Sequence, residues 1–413
     1  MGNGKMKYHC LGALAIGLAL SACGGGGSGN SNVLPVPTLP SPAPSPAPAP
    51  APAPTPAPAP TPSPSPTISA EAALAAKMGK PARLLVGLGS GNDVGAIMSQ
   101  ALSPDILDRY LPFYPGPNGS WANNFGFSST PGTYVDRIAA EADSLGAVPM
   151  FTLYQFIYAG ENNPALLDDR ASMQLIWNQT VLLFDRLAAY NKPALVNLEP
   201  DLWGYAYNFS PGADPSRRFA WVNITPDCAA LPNTIAGIGQ CMVAIARNRA
   251  PKALIGFPPS DFGFGTQNVI RFMKAVGAQQ ADFTVMQTLD RDAGCFEARG
   301  AECTRPGSNW YWSASQFAQH FAEARAYRDG IGLPLIWWQT PMGVPSILPG
   351  GLPQRWRDNR VDTFLRNPQA LVDAGASGVV FGAGADTQTD IDTDGGHFQQ
   401  RWRDYIVSPT PLP

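Results

Sequence analysis

The chain has 413 residues, with 28 Lys plus Arg against 31 Asp plus Glu and only 3 His. Its basic residues are scattered, which excludes the concentrated positive surface that a nucleic-acid partner requires. Of the six cysteines, Cys10 and Cys23 fall in the first segment, and a dense proline run follows before any regular apolar pattern begins.

Residues 1–22 carry Lys5 and Lys7, then an apolar stretch from Leu11 to Leu20, then small residues before Cys23. This is the layout of a secretory signal, and the apolar run is too short for an ordinary membrane-spanning helix. Leu20-Ser21-Ala22-Cys23 resembles the lipobox of bacterial lipoproteins. The resemblance implies cleavage before Cys23, lipid on its thiol, and, with Gly24 rather than Asp next, the outer membrane of a diderm cell. Membrane attachment is then expected through acyl chains alone. Residues 23–68 continue as a Gly/Ser stretch and a Pro/Ala-rich linker. Alternating prolines favour an extended polyproline spacer, on the order of 80 Å long at about 3.1 Å per residue. No second break of this kind divides residues 69–413, which are expected to form one domain.

In that domain, short apolar runs alternate with longer helical patterns. The runs are Arg83 to Gly89, Arg109 to Gly116, Ala147 to Tyr154, Pro193 to Pro200, Lys252 to Pro258, Asp282 to Leu289, Leu333 to Thr340 and Ser377 to Gly384. Between the first two, VGAIMSQALSPDILDR reads as helical. Nearly continuous apolar character indicates strands covered on both faces. Eight such units predict a closed (β/α)8 TIM barrel, in the α/β class. An open doubly wound sheet is the alternative, but GLGSGNDVG after the first run lacks the dinucleotide-binding spacing.

A barrel of this type builds its site at the C-terminal strand ends. Those ends offer Asp93 after the first run, Trp121 after the second, and Asn197, Glu199, Asp201 and Trp203 at the fourth. Asp290 and Asp292 follow the sixth, Trp338 and Gln339 close the seventh, and Asp386 and His397 follow the eighth. Carboxylates and aromatics with almost no histidine suit glycosidic bond cleavage, in which one carboxylic acid protonates the leaving oxygen and another carboxylate attacks or activates water. Glu199 is the expected proton donor, since its apolar flanks raise the pKa. Asp201, Asp290 and Asp292 are candidate second carboxylates. The other residues named at these ends are candidate substrate contacts, Trp faces covering sugar rings and amides binding hydroxyls. Strand parity sends Trp337 and Trp338 to opposite faces.

Cys228, Cys241, Cys295 and Cys303 read as two disulfides in an oxidising compartment, with three connectivities open. Local pairing is favoured, because Cys228 with Cys241 and Cys295 with Cys303 each bracket a loop-rich insertion. The four cysteines lack zinc-ligand spacing. Asp390, Asp392, Asp394 and Gly395 match the opening of an acidic calcium loop, but Arg401 stands where that motif requires a bidentate glutamate. No cofactor or metal is therefore expected, calcium at this loop being the alternative to a solvated loop that caps the last helix.

In strand order, and in Glu199 ending the fourth strand, the stretch from Pro81 to Ile406 resembles the (β/α)8-barrel glycoside hydrolases. The resemblance implies an acid/base role for Glu199. The nucleophile of many retaining members follows strand seven, where this chain has WWQT and Gln339 cannot serve. The expected protein is an exported, lipid-anchored, monomeric hydrolase of a polysaccharide or oligosaccharide. The alternatives are a carbohydrate-binding surface lipoprotein without catalysis and a polysaccharide lyase.

Overall fold

The computed structural model describes residues 68–413, apart from 289, 290, 309, 347 and 386. The signal, Cys23 and the linker lie outside the described residues, as do Asp290 and Asp386.

Eight parallel strands close in sequence order, β1 pairing with both β2 and β8. After α1 (Ala70–Lys77) come β1 (Leu85–Leu88), α2 (Val94–Ser99), β2 (Ile106–Pro112), α3 (Thr133–Ser144) and β3 (Val148–Tyr154). Next are α4 (Ala165–Asp168), α5 (Arg170–Tyr190), β4 (Ala194–Leu198), α6 (Leu202–Phe209), α7 (Ile235–Arg249), β5 (Ala253–Phe257) and α8 (Thr266–Ala275). The last part runs β6 (Phe283–Gln287), α9 (Ala293–Ala298), α10 (Ala314–Tyr327), β7 (Leu335–Thr340), α11 (Arg360–Arg366), α12 (Pro368–Asp373), β8 (Ala376–Phe381) and α13 (His397–Val407). The architecture is a (β/α)8 TIM barrel.

The sequence pattern explains the layers. In α5, Met173, Ile176, Trp177, Thr180, Leu183, Phe184 and Leu187 recur at three- and four-residue steps and are buried against the barrel. Asp169 caps the helix by accepting from the Ala171 and Ser172 amides. This cap also separates α4 from α5, and Pro368 starts α12 directly after α11.

One expected element changes type. Ile106 to Asp108 belong to β2, not to the end of the preceding helix, and β2 stops at Pro112 rather than Gly116. The helix stops early, at Ser99, and Ala101 takes a left-handed φ of 53°. Pro104 then favours extended backbone just before it. The shift of strand two by three residues matters below, because it carries Asp108 into the barrel.

Both disulfides form as the local pairing expected, Cys228 with Cys241 and Cys295 with Cys303. The first staples the insertion before α7 to that helix, and the second closes the loop after α9. Among the described residues, no helix is long and apolar enough to cross a membrane.

Candidate active site

Strands β2 and β7 are not neighbours in the sheet, so any bond between their side chains crosses the lumen. Such a bond exists: the Trp338 Nε1–H donates to Asp108 Oδ2 at 3.1 Å. From β3, the Thr152 hydroxyl donates to Asp108 Oδ1 at 2.7 Å, and from β4 the Asn197 amide donates to Thr152 Oγ1 at 3.4 Å. A polar relay thus spans the barrel from β4 to β7 where branched apolar side chains ordinarily dominate. Gly89 makes room for it, since a Cβ there would stand 3.3 Å from Asp108 Oδ2. Asp108 is buried, and desolvation pushes its pKa up to about 6 against the hydrogen bonds of Thr152 and Trp338.

One step nearer the mouth, Tyr110 lies 5.5 Å from the Trp338 ring and 6.0 Å from Tyr154. Trp338 therefore faces the lumen. Trp337 faces the helices instead, where its Nε1–H donates to His320 Nε2 on α10 at 2.8 Å. Burial lowers the His320 pKa to about 4, which keeps that nitrogen an acceptor. Beyond Trp338, the register between β7 and β8 shifts and Gln339 adopts a φ of 51°. Its Oε1 accepts from Gln287 Nε2 of β6 at 3.1 Å, so two amides meet at adjacent strand ends.

The end of β4 is conformationally unusual. Glu199 has φ 59° and Asp201 φ 69°, and Ser260 beyond β5 has φ 50°. Non-glycine residues held there cost energy and cluster at sites with a function. The Asp201 amide donates to the Ser260 hydroxyl at 3.2 Å, joining the two loops. Glu199 is fully enclosed. Both its oxygens accept from the Gln155 amide at 3.0 Å, and Oε2 also accepts from the Phe156 amide at 3.2 Å, at the start of the 3-10 turn Phe156–Ala159. The Gln155 side chain bonds Thr180 on α5 at 2.9 Å. Burial nevertheless pushes the Glu199 pKa up to about 8, exceeding the opposing pull of those amides. Burial thus favours the protonated form of Glu199 more strongly than that of Asp108.

Other predicted contacts lie elsewhere. Trp203 is packed in the core, its Nε1–H donating to the Leu198 carbonyl at 2.9 Å and its ring set against Phe257 at 5.2 Å, so it offers no face to a sugar. Trp121 is likewise buried, at the head of the 3-10 turn Trp121–Gly126. Asp93 is exposed and caps α2, accepting from the Gly95 amide at 2.7 Å. His397 opens α13 and lies 3.4 Å from Asp362, beside the Arg401–Asp362 ion pair. In the acidic loop, Asp390 accepts from the Asp392 and Thr393 amides at 3.0 Å, and Asp394 caps α13 through Gly396 and Phe398 at 2.7 Å. These carboxylates are turned onto their own loop as caps.

Two groupings were not anticipated from sequence. Asp108 is one, hidden by the helical reading of ILDR; an alternating reading from Ile106 would have pointed it inward. The second is the partner of Asp292: Asp358 is buried beside it, and desolvation and this neighbour push Asp292 up to about 7.

No protein-family model matches the sequence, and no curated protein sequence does. Among solved structures the chain is similar to a native Bacteroidetes-affiliated GH5 cellulase linked with a polysaccharide utilization locus, at 13% identity and TM-score 0.48, covering 81% of this chain and 93% of that one. It is similar to Thermotoga maritima Cel5A in complex with cellobiose, at 10% identity and TM-score 0.46, covering 79% and 99%. A D-psicose 3-epimerase from Clostridium cellulolyticum H10 also matches, at 13% identity and TM-score 0.36, covering 79% and 92%. No residue role carries across at such identities, and one barrel hosts different chemistries.

Proposed function

We propose that the chain is a glycoside hydrolase whose acid/base carboxyl groups belong to the lumen and C-terminal mouth of the barrel. The observation that carries the reading is the polar relay from Asn197 through Thr152 and Asp108 to Trp338 across the lumen, with Glu199 two residues beyond Asn197; burial raises both carboxyl groups, Glu199 (about 8) further than Asp108 (about 6). Two carboxyl groups separated in this way divide acid and base roles between them at one pH. Glu199 is the proton donor. Asp108, Asp201 and Asp290 are the candidates for the carboxylate that attacks or activates water. Gln339 and Gln287 supply amides at adjacent strand ends suited to sugar hydroxyls, while Trp338 and Asn197 are buried in the relay beneath them. The substrate is a polysaccharide or oligosaccharide outside the cytoplasm, met by a chain exported through residues 1–22, acylated at Cys23 and held away from the membrane by the linker to residue 68.

The test is reducing-end release by the purified chain from a panel of soluble glycans. Glu199→Gln is expected to lose at least about two decades of rate, the usual size of acid/base catalysis. Undiminished turnover in that variant, with an unchanged melting temperature, contradicts the assignment. A second reading is a saccharide-binding barrel without turnover. It is favoured by the amides of Gln155 and Phe156, which occupy both Glu199 oxygens as a structural clamp would. Glycan binding with no product would establish it.

A further inference from the structure

The mouth carries an aromatic surface on the side of β3, β4 and β5 that the relay does not use. Phe262, beyond β5, is 44% exposed. It is also held in place. Asp261 accepts from the Gly263 and Phe264 amides at 2.9 and 2.8 Å, and its other oxygen accepts from the Tyr327 hydroxyl of α10 at 3.1 Å. Gly204 of α6 receives the ring from below: a Cβ there would stand 2.5 Å from Phe262. A rotamer-poor ring on a pinned turn loses little entropy when a ligand covers it.

Phe262 does not stand alone. Tyr205 meets it edge-on at 5.1 Å, and Phe209, one helical turn further along α6, stacks on Tyr205 at 6.4 Å with planes 18° apart. Tyr205 and Phe209 are only half-buried. The surface is not purely apolar: the Tyr205 hydroxyl donates to Glu161 at 3.4 Å, and Asp201 is close enough for its charge to act on that hydroxyl. Rings flanked by carboxylates suit a ligand with flat C–H faces and hydroxyl edges, whereas a protein partner would favour a wider apolar core. Asp201 and Ser260 connect this surface to the strained end of β4, so a bound chain would run from it toward Glu199.

We infer that Phe262, Tyr205 and Phe209 form a saccharide platform on the β3–β5 rim, holding an extended chain of pyranose rings as it enters the mouth. The inference rests on the hydrolase reading for its direction, and binding tests it separately. The full chain is run through native gels containing soluble mixed-linkage β-glucan, glucomannan or dextran, and kinetics follow on any glycan that is cleaved. Retardation by at least one of these glycans is expected. Phe262→Ala should weaken it about tenfold, as for the loss of one ring contact, and raise KM similarly with kcat unchanged. Tyr205→Phe, which keeps the ring, should retain most of the retardation. Equal retardation and equal KM in Phe262→Ala and the parent chain overturn the platform while leaving hydrolysis standing. Retardation that depends on Phe262 without turnover keeps the platform and removes the hydrolase reading. Neither retardation nor turnover with any of these glycans overturns both.

Discussion

The two halves of the barrel mouth use the same residue types for different ends. On the β6–β8 side, Asp292 accepts from the Gly343 amide at 2.8 Å and the Thr389 amide at 2.9 Å, while Asp358 accepts from Ala293 at 3.0 Å and pairs with Arg360. Trp356 Nε1–H reaches the Thr387 carbonyl at 2.9 Å, and the Cys295–Cys303 disulfide closes the adjoining loop. Three loops are fastened there by buried carboxyl groups and main-chain amides. On the β3–β5 side, half-buried rings, left-handed backbone and rim carboxylates face the entrance. A buried carboxyl group with a raised pKa is thus no site by itself. Its donors decide: Asp292 is held by fixed amides of separate loops, and Asp108 by a hydroxyl and an indole of the lumen. Glu199 combines both, with amide donors but a strained strand-end position.

The largest break in this comparison should come from Asp292→Ala. It strands the Gly343 and Thr389 amides in the interior, and a loss of about 3 kcal/mol in urea unfolding is expected from two unsatisfied donors. A loss under about 1 kcal/mol would mean that the loops are fastened elsewhere. The next effect is on pH dependence. Glu199, Asp292 and Asp108 are raised to about 8, 7 and 6 by desolvation. The folded chain therefore binds more protons than the unfolded one from about pH 4 up to each raised value. Stability from these groups is greatest at the acid end of that window and falls as pH rises through it. The melting temperature should be higher at about pH 5 than at about pH 8, and Asp292→Asn should flatten part of the difference. The smallest stability effect belongs to Asp108→Asn, about 1 kcal/mol, because an amide oxygen still accepts one of the two side-chain donors. Its cost should fall on activity.

The barrel was legible because strands buried on both faces leave apolar runs in regular alternation with helices. The local disulfides were legible because short loops limit the alternatives. Strand two was displaced because Ile106-Leu107-Asp108-Arg109 fits a helical continuation as well as a strand, and Pro112 marks its end rather than its middle. Trp203 and Trp121 were visible as aromatics, but only packing against Phe257 and the helix layer decides that they are core. The Asp292 fastening joins residues 51 and 97 positions apart, a relation that local pattern does not contain. The amide of Gln339 was visible in the sequence, but its left-handed backbone and its pairing with Gln287 at a register shift were not.

The pH dependence of kcat/KM on a cleaved glycan tests the division of roles most directly. If Asp108 must be ionised and Glu199 protonated, the profile is a bell, rising through about 6 and falling through about 8. Asp108→Asn should erase the acid limb and Glu199→Gln the alkaline one, each at much reduced rate. A profile whose two limbs survive unchanged in both variants would contradict the account, because other groups would then carry the protons.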